Sequence, residues 1–240
     1  MCTATFWPTL DGYRVAMNRD EQRRRPVALP PVKHSSAAGT ALHPTESGGG
    51  TWISLNDSGI TFLLVNWYAI LSKNDPDAPS RGVIIAGLRH SQSVETTRPD
   101  PQPGTRPFRL VGVFPETRSI REWRWDQRRL FTLDLPWEPQ QWISSGRDEP
   151  GAQRYRSATF AHHRALPHAG SLSWLQALHA SHDPEPGPYS HCVHRPDAVT
   201  VSYTEIEVAH GSATLRYQSS SPCQPGPWHE ASVPRKSGVG

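Results

Sequence analysis

The chain is short of lysine, cysteine and long apolar runs, and each shortage excludes something. Lysine occurs only at Lys33, Lys73 and Lys236, so the +3 net charge rests on arginine. The arginines are spread along the chain, with short runs only at Arg23, Arg24, Arg25 and at Arg128, Arg129. That pattern gives no nucleic-acid footprint; scattered arginine suits planar anions such as carboxylates and phosphates. The three cysteines, Cys2, Cys192 and Cys223, are far apart and form no C-x-x-C pair, which argues against a disulfide framework and against a zinc ribbon. The N-terminal stretch has no apolar run of the ~7–15 residues a signal peptide needs. The best apolar segment, "ITFLLVNWYAIL", is shorter than the about 20 residues of a membrane span and contains Asn66. The expectation is a cytoplasmic protein with reduced thiols and no stable membrane insertion.

Proline is abundant, 24 of 240 residues against a usual ~5%, and nine tryptophans and six phenylalanines supply core area. The segments "CTATFWP" and "GYRVAMN" flank an Asp11-Gly12 turn and predict an N-terminal hairpin. A Pro/Ser/Gly-rich connection over 21–50 reads as a lid or a partly disordered loop. "TWISLND" and "GITFLLVN" predict a second hairpin, its second strand apolar on both faces. A helix is expected in "SRGVIIAGLRH", with Ser80 as N-cap. A strand meander follows, then helices near 153–165 and 171–180, then further strands. Strands, helices and strands again predict an α+β fold, a four-layer αββα sandwich of antiparallel sheets. One domain is expected over 1–218, with 219–240 a flexible tail.

Cys2 carries the chemistry. Removing the initiator methionine leaves its thiol and a free α-amine on one residue, with reference pKa values of ~8.5 and ~7.7–8.0, so nucleophile and base come together. The predicted hairpin returns Asn18, Arg19, Asp20 and Glu21 to the chain start. There Arg19 is placed to favour the thiolate and Asp20 to hold the α-ammonium. Asn66, ending the buried strand, is the candidate oxyanion donor; no second donor is assigned. Trp52 and Trp67 are candidate walls of a substrate pocket.

Met1-Cys2, Tyr13 through "NRDE" (Asn18 to Glu21), Arg25-Pro26, "GGTW" (Gly49 to Trp52), Asn66 and "SRG" (Ser80 to Gly82) fall in order. Over residues 1 to about 90 this pattern resembles the NRDE family, whose eukaryotic namesake is transport and Golgi organisation protein 2. The resemblance implies an N-terminal-nucleophile (Ntn) hydrolase fold, similar in outline to penicillin V acylase and bile-salt hydrolase. It also implies cleavage of a non-peptide amide by an N-terminal cysteine, here Cys2, with Asp20 carried over from the second strand. Arg19 and Asn66 complete the candidate catalytic set, and Asn18, Trp52, Trp67 and Arg81 are the candidate substrate contacts. In that wider group the second strand carries Arg-Asn-x-Asp. Matching the asparagines leaves Met17 at the arginine position, with Arg19 two residues on. The alternative is a non-catalytic member of the family that binds or traffics haem or lipid, since NRDE proteins have been linked to both. The expected partner is a small molecule, with no cofactor.

Twelve histidines raise a metal reading at "HHRALPH" and "SHCVH". Cys192 and His194 share one strand face and are candidate ligands for a soft metal or haem. A metal needs three or four ligands and no regular spacing supplies the others, so no metal is expected. "ESGGGTW" lacks the Lys-Ser/Thr of a phosphate loop and precedes a strand.

Overall fold

The structure, a computed structural model, describes residues 2–72, 75 and 77–236. Thirteen strands and three helices follow one another: β1 (Cys2–Pro8), β2 (Tyr13–Gln22), β3 (Leu29–Ser36), β4 (Gly39–Thr45), β5 (Ile53–Asn56), β6 (Thr61–Asn66), α1 (Gly82–Leu88), β7 (Phe108–Phe114), β8 (Ser119–Trp125), β9 (Leu130–Leu135), β10 (Gln140–Ser144), α2 (Glu149–Arg164), α3 (Leu172–Ala180), β11 (Ala198–Ala209), β12 (Ser212–Gln218) and β13 (Trp228–Pro234). They form a six-stranded sheet ordered β10-β1-β2-β11-β12-β13 and a seven-stranded sheet ordered β3-β4-β5-β6-β7-β8-β9. Neighbours within each sheet pair antiparallel.

Three apolar clusters define four layers. Alternate residues of the two sheets meet in the central core: Phe6, Val15, Met17, Ile206 and Leu215 from the first, Leu55, Leu63, Val65 and Val111 from the second. On the outer face of the second sheet, Phe62, Leu64 and Phe108 pack against Ile84, Ile85 and Leu88 of α1. On the outer face of the first, Ala16 and Tyr203 pack against Phe160 of α2 and Trp174, Leu175 and Leu178 of α3. The order is helix, sheet, sheet, helix. Strand β6 serves two cores at once, which is why it reads as a continuous apolar run. Asp148 caps α2, accepting from the Gly151 N–H at 2.9 Å, and Ser171 caps α3, accepting from the Trp174 N–H at 3.1 Å.

Three local expectations are corrected. The connection over 21–50 is not a lid: it contains the β3–β4 hairpin, with Pro30 and Pro31 in an edge strand where the register shifts between Leu29 and Val32. An edge position tolerates residues that cannot donate to the ladder. The segment expected as a tail from residue 219 contains β13, paired from Gln218↔Trp228 to Ser212↔Pro234, with Val233 buried in the central core. Residues 237–240 lie outside the described residues. At α1 the N-cap is Arg81 rather than Ser80, with no side-chain cap. Among the described residues no helix is long and apolar enough to cross a membrane.

Candidate active site

The strand β1 begins where β2 ends, and the register sets Cys2 directly opposite Arg19. At that end of the sandwich a cavity of about 420 Å³ opens. Cys2, Arg19, Asp20, Trp52, Asn66 and Arg81 all line it. Six of the eight expected site residues are thus brought together.

The "GGTW" and "SRG" motifs form one wall because their backbones touch. The Thr51 N–H donates to the Gly82 carbonyl at 3.2 Å. A Cβ at Gly82 would lie 2.7 Å from the Thr51 nitrogen and 2.9 Å from the Gly50 Cα. A side chain there would push the loops apart, so both glycines are required by close approach.

Cys2 is buried, and its backbone N–H donates to Ser144 Oγ of β10 at 3.0 Å. Burial pushes the thiol above its ordinary pKa; Asp20 and Glu21 add to the effect and Arg19 opposes it. Arg19 shares the sandwich face with Met17, because two residues are one pleat period. It therefore points to the same face as Met17, two residues nearer the strand end. Its guanidinium is engaged by Glu46 Oε1 at 2.5 Å and Glu21 Oε2 at 3.3 Å, and it stacks over Trp52 at 4.6 Å. Arg25 bridges the same two carboxylates at 2.9 and 3.2 Å, closing a four-charge network along one side of the cavity.

Asp20 is buried. Its Oδ1 accepts from Thr200 Oγ1 at 2.7 Å, and its Oδ2 lies 3.7 Å from Nη1 of the fully buried Arg156 of α2. Burial raises its pKa; Arg156 and the Thr200 hydrogen bond act against that. A register shift on β11 between Thr200 and Ser202 sits beside Asp20, the kind of bulge that re-aims side chains. Arg156 also donates to Thr3 Oγ1 at 2.6 Å and to the Pro188 carbonyl at 3.1 Å, tying α2 to β1.

Asn66 reaches the cavity from the end of β6, where its Nδ2 donates to Tyr68 Oη at 2.7 Å. Arg81 donates to the Pro107 carbonyl at 3.1 Å, and Arg106, also in the lining, to the Asp75 carbonyl at 2.6 Å. Neither has a carboxylate partner among the described residues. The buried Trp52 Nε1 has no hydrogen-bond partner.

Two expected residues lie elsewhere. Asn18 faces the helices on the opposite side of the sheet from Arg19, donating to the His179 and His191 carbonyls at 2.9 and 2.8 Å. Adjacent strand residues point to opposite faces, so Asn18 and Arg19 cannot both face the sandwich. Trp67 lies beyond the end of β6 in a separate cavity with Arg109, Arg124 and Gln141. Sequence reasoning missed Ser144, Arg156 and Thr200, which come from β10, α2 and β11 through topology rather than motif.

Antiparallel sheets stacked between helix layers, with a cysteine and its strand partners at one mouth, define the Ntn-hydrolase-like class of fold. Residues 1–111 match the family Transport and Golgi organisation 2. The solved structures agree on the fold. Penicillin V acylase from Agrobacterium tumefaciens is similar at TM-score 0.51 and 10% identity, covering 91% of this chain and 83% of that one. Two variants of the conjugated bile acid hydrolase from Clostridium perfringens give TM-scores of 0.56 and 0.52 at 10% and 9% identity. They cover 98% and 97% of this chain and 92% of each of those. No curated protein sequence matches the chain.

Proposed function

We propose that the protein hydrolyses a non-peptide amide bond, with Cys2 as nucleophile once Met1 has been removed. The observation that carries this reading is the convergence of Cys2, Arg19, Asp20 and Asn66 on one cavity. The Cys2 α-amine takes the thiol proton as sulfur attacks the amide carbonyl, and then gives it to the leaving amine. Water attacks the resulting thioester and releases the acid. Ser144 Oγ, already 3.0 Å from the Cys2 nitrogen, and Asp20 orient that amine. Asn66 Nδ2 turns from Tyr68 to the oxyanion and supplies one donor.

Seven of the eighteen residues that line the cavity are charged, and four of those are arginines. Arg81 and Arg106, held only by backbone carbonyls, favour a substrate carrying a carboxylate or phosphate. The test is a panel of amides with and without such a group, assayed with the untagged protein and with Cys2→Ala. Turnover of anionic amides that disappears in Cys2→Ala supports the proposal. Equal turnover by both proteins rules out the Cys2 mechanism.

A second reading is non-catalytic binding of haem or lipid on the same scaffold, and two observations favour a non-catalytic Cys2. Glu46 already engages Arg19 at 2.5 Å, and burial holds the Cys2 thiol up. Stoichiometric haem or lipid uptake by a protein that turns over no amide distinguishes it.

A further inference from the structure

A second constellation stands on the helix side of the first sheet. His182 follows α3, Cys192 and His194 precede β11, and Cys223 lies between β12 and β13. Each offers one ligand atom, and all four atoms lie within 4.8 Å of one another. Cys192 Sγ is 3.4 Å from Cys223 Sγ and 3.4 Å from His194 Nε2, and His194 Nε2 is 3.3 Å from Cys223 Sγ. The His182 and His194 rings sit 5.0 Å apart, crossed at 74°. His182 Nε2 is buried and has no hydrogen-bond partner.

We infer that these four side chains form a closed structural site for a soft divalent cation, zinc by preference. Two thiolates and two imidazoles are the ligand set of structural zinc, and a tetrahedral ion with bonds of ~2.0–2.3 Å spaces its ligands by roughly 3.3–3.8 Å. The three measured edges fall in or near that range. The two thiolates cancel the charge of the ion, so a partly buried site carries no net charge; binding releases their two protons to solvent. With four protein ligands no position remains for substrate, which makes the site structural rather than catalytic.

The surrounding backbone is built to hold this arrangement. The Cys192 N–H donates to the Ser181 carbonyl at 3.1 Å, and Ser190 Oγ donates to the Cys192 carbonyl at 2.6 Å. Val193 N–H donates to Thr200 Oγ1 at 2.8 Å, and Ser221 Oγ to the Thr200 carbonyl at 2.6 Å. Thr200 is also the residue that donates to Asp20. An ion would therefore clamp the chain after α3, the chain before β11 and the β12–β13 connection around the residue that holds Asp20.

The experiment uses the full chain. Metal analysis of the reduced protein should find equimolar zinc. After chelation, Co²⁺ titration should give thiolate-to-cobalt charge transfer and intense tetrahedral ligand-field bands, saturating at one ion per chain. Cys192→Ser with Cys223→Ser should abolish the bands and Cys2→Ala should leave them unchanged. If the double variant fails to fold, the wild-type cobalt spectrum still decides. Absence of charge transfer in the reduced wild type overturns the inference. So does a spectrum that depends on Cys2 instead, a Cys192–Cys223 disulfide that persists in protein prepared under reductant, or stoichiometric haem ligation through Cys192 or His194.

Discussion

Cys2 and the Cys192–Cys223 pair are all buried or partly buried thiols, yet their neighbours differ in kind. Around Cys2 stand Arg19, two acids, a serine hydroxyl and an open cavity, which no second thiol or imidazole lines among the described residues. Around Cys192 stand a second thiol and two imidazoles. The first setting supplies charge, a proton carrier and room for a substrate, as a nucleophile needs. The second supplies soft donors at coordination spacing, as a metal ligand set needs. The chemistry of a cysteine is decided by what the fold places within about 4 Å of its sulfur.

The sharpest way to break this contrast is to exchange the thiols' fates. Cys2→Ala should lower amide turnover on the order of a thousandfold or more while leaving metal content unchanged; steady-state kinetics beside metal analysis reads both. Next in size is Asn66→Ala. Losing one oxyanion donor costs roughly a hundredfold in kcat, with no change in thermal unfolding because Asn66 is only partly buried at a strand end. An unchanged kcat removes Asn66 from the oxyanion hole.

The support beneath Asp20 is tested by Arg156→Leu. It removes the buried guanidinium beside Asp20 and should cost about 3–5 kcal/mol in denaturant unfolding, whereas Arg156→Leu with Asp20→Leu should cost less than the sum of the two single changes. A double loss equal to the sum of the single losses would show that the 3.7 Å pair carries no coupling.

A separate effect is a pH dependence outside both sites. Burial holds His43 at about 4 and His179 at about 3, against ~6.5 in the unfolded chain. Below about pH 6.5 the unfolded state therefore binds more protons, and stability falls as the pH drops toward 4. Thermal unfolding between pH 7 and pH 4 should show a declining Tm; a Tm that rises on acidification contradicts these assignments.

How much of this was legible in the sequence follows from distance along the chain. The Cys2–Arg19 register was readable because an Asp-Gly turn joins two adjacent strands, so local chemistry fixes the pairing. The cavity residues up to Arg81 follow one another through neighbouring elements. Asn18 was misplaced by a face: the motif is contiguous, but the pleat splits it between two layers. Thr200, Arg156 and Ser144 had no local signal, since each arrives by a long crossover. The His182, Cys192, His194 and Cys223 cluster was hidden for a similar reason. The first three fall within thirteen residues but at irregular spacing, and the fold delivers Cys223 from a separate segment. The β13 strand was hidden by Ser- and Pro-rich flanks and is fixed by its pairing with β12.

The central claim is that Cys2 works as an N-terminal nucleophile, and the most direct measurement is the intact mass of untagged protein purified from cells. The account predicts a mass lighter than the encoded chain by one methionine residue, leaving the Cys2 amine free beside Ser144. A protein that retains Met1 has no such amine, and that result would contradict the mechanism.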